Sequence, residues 1–326
     1  MVFHLKTDDF VLKSSVFYCY HGANTIFEEK RSMADYLIKA LAFNGQLRVY
    51  AVNSTETVRE AQRIHDSWSA ATAAFGRAIT ATSLLSQSLL KGDNKMTVKV
   101  MGDGPTGTIV IDGTATGDLK GYLQNPHVNL PLNDKKKIDV KGAVGSNGLL
   151  QITKDLGLKT PFTGQVPLVS GELGEDFTYY MAKSEQIPSS IGVSVFVNKN
   201  NSVRTAGGFM VQVMPGASDE VLTKIEEQIA NLPAISVMMA NKITPEEMIY
   251  RICGRENTQV LDKVEISYRC DCSKERFAKA LASISPVDLK LMIEEDHGAE
   301  AVCHFCKKKY TFTEIELQKL LNGIQK

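Results

Sequence analysis

A chain of 326 residues, 43% of them hydrophobic, is long enough to bury a sizeable core and suits two domains, or one large domain with an appendage. Its 37 basic and 37 acidic side chains cancel, which excludes a global positive field that would draw it to nucleic acid or an anionic membrane. No apolar run approaches the roughly 20 residues that span a bilayer. Six cysteines are too sparse for a secreted disulfide scaffold, so a cytoplasmic location with reduced thiols is expected.

In the first 32 residues, the stretch from Phe10 to Tyr20 is fairly apolar but is interrupted by Lys13, Ser14 and Ser15. No cleavage-site pattern follows it, so it is not read as a signal peptide. A fresh start is expected at Met33, with 1–32 as a disordered N-terminal extension and Cys19 as an incidental thiol.

From there the pattern mixes strands and helices. Leu47 to Val52 alternates as a half-buried strand does, and Thr57 to His65 reads as a short helix. Ala70 to Leu90 is a longer helix rich in Ala, Ser and Thr, suited to lie closely against a sheet. Met96 to Met101 and Gly107 to Ile111 read as strands about the turn Gly102-Asp103-Gly104-Pro105, which lacks the lysine and following helix of a phosphate-binding loop. Gly145-Ser146-Asn147-Gly148 reads as a second hairpin turn. A helix is predicted over Glu172 to Gln186, then two strands, Ile191 to Val197 and Val203 to Met214. The runs Lys135 to Lys137 and Lys307 to Lys309 are read as solvated faces.

Past Pro215 the chain turns helical and charged. Val221, Leu222, Ile225 and Ile229 form one apolar stripe, and Thr244-Pro245-Glu246-Glu247 has capping-box spacing with proline at the first helical position. Such short amphipathic helices need a partner surface. Cys253 reads as a helix-end residue without a ligand role. From Lys263 a small module follows: a strand over Val264 to Tyr268, helices after Ser273 and Ser285, a strand at Tyr310 to Phe312, and a last helix capped by Thr313 and Glu316. About sixty residues bury little core, so a staple is expected.

That staple is four cysteines, Cys270 and Cys272 in C-D-C and Cys303 and Cys306 in C-H-F-C. Four thiolates complete a tetrahedral zinc sphere and leave no open position for a water, which argues against a zinc hydrolase or deaminase. His297 and His304 stand nearby and are left out of the ligand set. Two other readings stay open: a thiol–disulfide oxidoreductase and a zinc-ribbon binding protein. The module's eleven basic against ten acidic residues make a weak footprint for nucleic acid.

The residues C-D-C-S-K-E-R-F at 270–277, I-E-E-D at 293–296, C-H-F-C at 303–306, E-D-F-T-Y-Y-M-A-K-S-E-Q-I-P-S-S at 175–190 and G-G-F-M-V-Q-V-M-P-G at 207–216 together resemble the 33 kDa heat shock protein family of redox-regulated chaperones. The resemblance covers about nine-tenths of the chain, from Met33 onward. It implies an α+β fold with a mixed-sheet N-terminal domain over 33–215, a helical linker over 216–262 and a small C-terminal zinc-binding domain over 263–326. It also implies one Zn2+ per chain in the reduced state, held by Cys270, Cys272, Cys303 and Cys306. Oxidation then forms the disulfides Cys270–Cys272 and Cys303–Cys306, releases zinc, unfolds the C-terminal region and yields a homodimer that holds unfolding client proteins without ATP and without enzymatic turnover. Neither nucleic acid nor membrane is an expected partner. The linker helices would lose their packing partner when the module unfolds, exposing Val221, Leu222, Ile225 and Ile229 as a client-binding stripe.

Overall fold

A computed structural model of the chain describes residues 34–324. The expectations for 1–32, Cys19 included, lie outside the described residues. Strands β1 (Tyr36–Ala42) and β2 (Leu47–Asn53) lead into α1 (Thr55–His65) and α2 (Ser69–Leu89). Next come β3 (Lys95–Gly102), β4 (Ile109–Thr114), β5 (Asp118–Leu123), α3 (Val140–Val144), β6 (Gly148–Asp155), β7 (Phe162–Pro167) and α4 (Gly174–Lys183). The hairpin β8 (Ser189–Val197) and β9 (Val203–Val213) is followed by α5 (Asp219–Ala230), α6 (Ile235–Ala240) and α7 (Pro245–Cys253). Strands β10 (Thr258–Glu265) and β11 (Ser267–Tyr268) precede α8 (Lys274–Leu281), α9 (Pro286–Glu294), β12 (Gly298–Val302), β13 (Lys309–Thr313) and α10 (Glu314–Ile324).

Helix α2 organises the core. Its Ala, Ser and Thr side chains are small enough for backbone to approach from every side, and nearly the whole helix is buried. It lies between a six-stranded sheet, ordered β11-β5-β4-β3-β6-β7, and a five-stranded sheet, ordered β10-β1-β2-β9-β8. Two of its buried hydroxyls bond back to the helix: Thr80 donates to the Gly76 carbonyl at 2.8 Å and Ser83 to the Thr80 carbonyl at 2.7 Å. At Gly76 an added Cβ would come within 2.6 Å of Val58 Cγ1 and 2.9 Å of Val195 Cγ2, so only glycine lets α1 and β8 close on this helix.

The resembling motif at 175–177 has a structural role. Asp176 is buried and accepts backbone N–H bonds from Val169 (2.7 Å), Ser170 (2.9 Å), Gly171 (3.3 Å) and Leu173 (2.8 Å). One carboxylate thus ties the loop before α4 to the start of that helix, where negative charge is favoured.

Both faces of the five-stranded sheet are covered. One meets α2; the other carries Ile38, Val49, Ala51, Phe209 and Val211 against α5, α6 and α7. The expected caps form at Thr244, whose hydroxyl accepts from Glu247 N at 3.2 Å, and at Ser273 and Ser285, and Ser218 caps α5 as well. At Thr313 and Glu316 the box is reciprocal, the Glu316 carboxylate accepting from Thr313 N at 2.9 Å.

Several expectations need correction. The stretch 145–148 joins α3 to β6 instead of two paired strands, with Asp103 Oδ1 accepting from Asn147 N across it. Residues 258–262 are the first part of β10, paired antiparallel with β1, because the strand's backbone finds a sheet edge there. The strand predicted over 264–268 is broken at Ile266, whose buried side chain enters the main core while the chain passes from one sheet to the other. The resulting β11–β5 pair is parallel, so the six-stranded sheet is mixed. The partner of the linker stripe also differs. Val221 and Ile225 are buried, and Ile229 partly so, against the five-stranded sheet and α7, not against the cysteine module.

Candidate metal centre

The module after β11 has its own small core, Leu289, Tyr310, Phe312, Leu317 and Leu321. Cys270 and Cys272 leave β11 and stand just before α8. Cys303 and Cys306 sit on the turn joining β12 to β13, closed by Lys307 N donating to Cys303 O at 2.8 Å and Cys303 N donating to Lys308 O at 2.9 Å. This brings all four sulfurs within 4.8 Å of one another. Two sulfur contacts run across the pairs, 3.7 Å for Cys270–Cys303 and 3.3 Å for Cys272–Cys306. A tetrahedral zinc with sulfurs at ~2.3 Å places its ligands about 3.8 Å apart, so the donor set fits such an ion. None of the five described cysteines is in a disulfide.

Of the two histidines left out of the ligand set, His304 packs its ring on Tyr122 at 5.5 Å, and His297 pairs with Glu314 at 2.6 Å. Cys253 is buried at the end of α7, and burial pushes its thiol up to about 12, the environment of an inert core residue. Val221, Ile225 and Ile229 belong to the separate linker cluster described above, whereas Leu222 is half-buried on the same helix outside it.

The thiols differ in their surroundings. Burial raises Cys270 and Cys306, with neighbouring thiols adding to the effect. Burial also works against a thiolate at Cys272, yet the Tyr310 hydroxyl at 3.2 Å and the surrounding thiols outweigh it and bring this group down to about 7. Tyr310 also donates to the Cys272 carbonyl at 3.0 Å, and its ring packs on Phe277.

The module is joined to the core by groups that carry no motif signal. Lys120 of β5 pairs with Asp271, between the first two cysteines, and holds its carboxyl down to about 2, with Arg276 assisting at 2.7 Å. The Lys120 ammonium also lies 4.9 Å from the Phe305 ring centre, and Tyr122 meets the same ring edge-on at 5.3 Å. Deeper in, the Phe305 carbonyl lies 2.6 Å from the Tyr268 hydroxyl and 3.0 Å from His65 Nε2. Burial, with Lys307 adding repulsion, lowers His65 to about 4, so at neutral pH it is an uncharged imidazole able to donate from Nε2. Tyr268 and His65 were invisible as site residues because their partners are backbone atoms far away in sequence.

A chain with two sheets about a buried helix, helices over one sheet and a four-thiol module docked at the edge of the other is an α+β protein with four cysteines positioned to hold a metal ion. A model of the Hsp33 protein family matches residues 35–313. The chain is 60% identical over 293 residues to the 33 kDa chaperonin of Levilactobacillus brevis, covering 90% of this chain and 99% of that one. It is 59% identical over 289 residues to the 33 kDa chaperonin of Latilactobacillus sakei subsp. sakei, covering 89% and 99%. The crystal structure of the 33 kDa chaperonin (heat shock protein 33 homolog) of Thermotoga maritima superposes with a TM-score of 0.81 at 37% identity, over 89% of this chain and 98% of that one. The chain belongs to the Hsp33 chaperone family.

Proposed function

We propose that the protein is a redox-switched, ATP-independent holdase of the cytoplasm. The observation that carries this reading is the gathering of four sulfurs within 4.8 Å at the centre of a module with only five buried core side chains. Those four thiolates would hold one Zn2+, and the ion's role is structural: it supplies folding free energy, of order ~10 kcal/mol in small zinc peptides. The reduced, zinc-loaded protein is the inactive form. Oxidation by peroxide under unfolding stress forms Cys270–Cys272 and Cys303–Cys306 and leaves the module too poor in core to stay folded.

The conformational consequence travels along the chain. Unfolding of 263–326 removes β11 from its sheet and frees the end of β10, which packs beside α7. The 216–262 region then loosens from the five-stranded sheet, and Val221, Leu222, Ile225 and Ile229, with the sheet face beneath them, become available to unfolding clients. The active form is a homodimer and acts by holding, without turnover. Among the described residues no helix is long and apolar enough to cross a membrane.

The test measures zinc, free thiols and client aggregation together. Peroxide with mild heating should release one zinc and consume four thiols, and only then should the protein suppress aggregation. Equal suppression by the reduced, zinc-loaded protein would sink the switch. Mass-spectrometric linkage of Cys270 to Cys303 would overturn the proposed pairing.

A further inference from the structure

Strand β5 forms the part of the six-stranded sheet that faces the cysteine module, and its outer edge is covered in an unusual way. Ser267 N donates to the Gly117 carbonyl at 3.2 Å and Arg269 N to the Leu119 carbonyl at 2.8 Å, the ladder of a short parallel strand. Beyond Arg269 the chain turns away toward Cys270. The next edge position, Gly121, is served by a side chain: its amide donates to the Tyr268 hydroxyl at 3.1 Å, and its carbonyl lies 2.6 Å from the same oxygen. A phenol stands where the peptide group of a continuing strand would be. The outward side chains of β5 are covered too, Lys120 by Asp271 and Phe305, and Tyr122 by His304 and Phe305.

We propose that the edge of β5 is a cryptic strand-addition site for an extended segment of an unfolded client, and that residues 267–269, the Tyr268 hydroxyl and the Phe305 ring occupy it as an internal substitute while the module is folded. The proposal rests on the redox-switch reading above, which supplies the event that removes the substitute. The occupant follows from what is seated there now. It is an extended segment bound mainly through its backbone, with an aromatic ring against Tyr122 and Lys120. Backbone pairing carries little sequence preference, as a holder of many clients requires, and the Tyr122–Lys120 surface adds a bias toward aromatic side chains. Only Ser267 and Tyr268 pair with the six-residue β5 as a strand, so an incoming segment can form a longer ladder than β11 does. Once the module unfolds, unpaired N–H and C=O groups on this edge become a template for another chain.

Hydrogen exchange of the full-length protein tests this at the outward amides of Leu119 and Gly121, the alternate amides of β5 facing β4, with carboxymethylated lactalbumin as a permanently unfolded chain. In reduced, zinc-loaded protein these amides should be protected. After oxidation they should exchange faster, and adding the lactalbumin should restore protection. Binding of the lactalbumin while the Leu119 and Gly121 amides remain unprotected would overturn the site, as would protection there that never falls on oxidation. Protection regained by raising protein concentration alone would assign the edge to a second copy instead. A Tyr268→Phe variant kept reduced involves no oxidation and so separates this site from the redox reading. Its Gly121 amide should exchange about fivefold faster than the parent's, the effect of one lost hydrogen bond, with lactalbumin binding strengthened to match. An unchanged variant would overturn the role given to the Tyr268 hydroxyl. An oxidised protein that binds no lactalbumin while the reduced variant does would refute the switch and leave the edge site supported.

Discussion

The Tyr310 hydroxyl reaches Cys272 twice, lying 3.2 Å from its sulfur and donating to its carbonyl at 3.0 Å. Its ring belongs to the five-residue core of the module, so one side chain ties a ligand to the fold that carries it. Tyr310→Phe keeps the ring and removes both contacts. Groups of this kind around a metal typically change affinity by 10–100-fold, and a loss near the lower figure, roughly tenfold, is expected here. A chelator competition gives the zinc affinity, and near-ultraviolet dichroism checks that Phe277 still has a packed neighbour.

Removing the metal should unfold the module first, loosen 216–262 behind it and spare 36–213. The module's core is Leu289, Tyr310, Phe312, Leu317 and Leu321, whereas the cores on either side of the five-stranded sheet are far larger. With a chelator present, limited proteolysis should cut first within 270–324, then within 216–262, and leave a resistant fragment containing 36–213. Cleavage first in α2 would contradict this hierarchy.

Leu289 is fully buried in that small cluster. Replacing it with alanine should cost about 2–5 kcal/mol, comparable to much of a small module's stability. Zinc should therefore be lost at a lower oxidant dose and lower temperature in Leu289→Ala. The same substitution at Leu84, buried in α2, should lower global stability without selectively lowering the zinc-release threshold.

His65 makes docking of the module sensitive to acid. Burial, then Lys307, lowers its value from 6.5 to about 4 in the folded protein. Between those two values the unfolded chain takes up a proton that the folded chain refuses. The contribution is thus complete above about pH 6.5 and is lost as pH falls toward 4. Denaturant midpoints at pH 7.5 and pH 5 should differ more for the parent than for His65→Gln. Equal slopes would remove His65 from the account.

The capping boxes, the small-residue helix and the four thiols were legible in the sequence because each depends on neighbours a few residues away. The strand pairs were less so. Ile266 looked like the middle of one strand, yet it marks the passage between two sheets, a choice made by the competing edges of β1 and β5. The linker stripe was visible as amphipathic, but Val221 and Ile225 gave no sign of which surface would cover them.

By itself, the sequence determined a four-cysteine donor set within a module short of apolar residues. Ligand type and spacing are local properties, and so is the shortage of apolar residues. Only the tertiary structure decided how that centre meets the core: through Lys120 and Asp271, and through Tyr268, His65 and the carbonyls of Phe305 and Gly121. Those contacts join residues up to 240 positions apart and end on backbone atoms, which every residue possesses and no motif records.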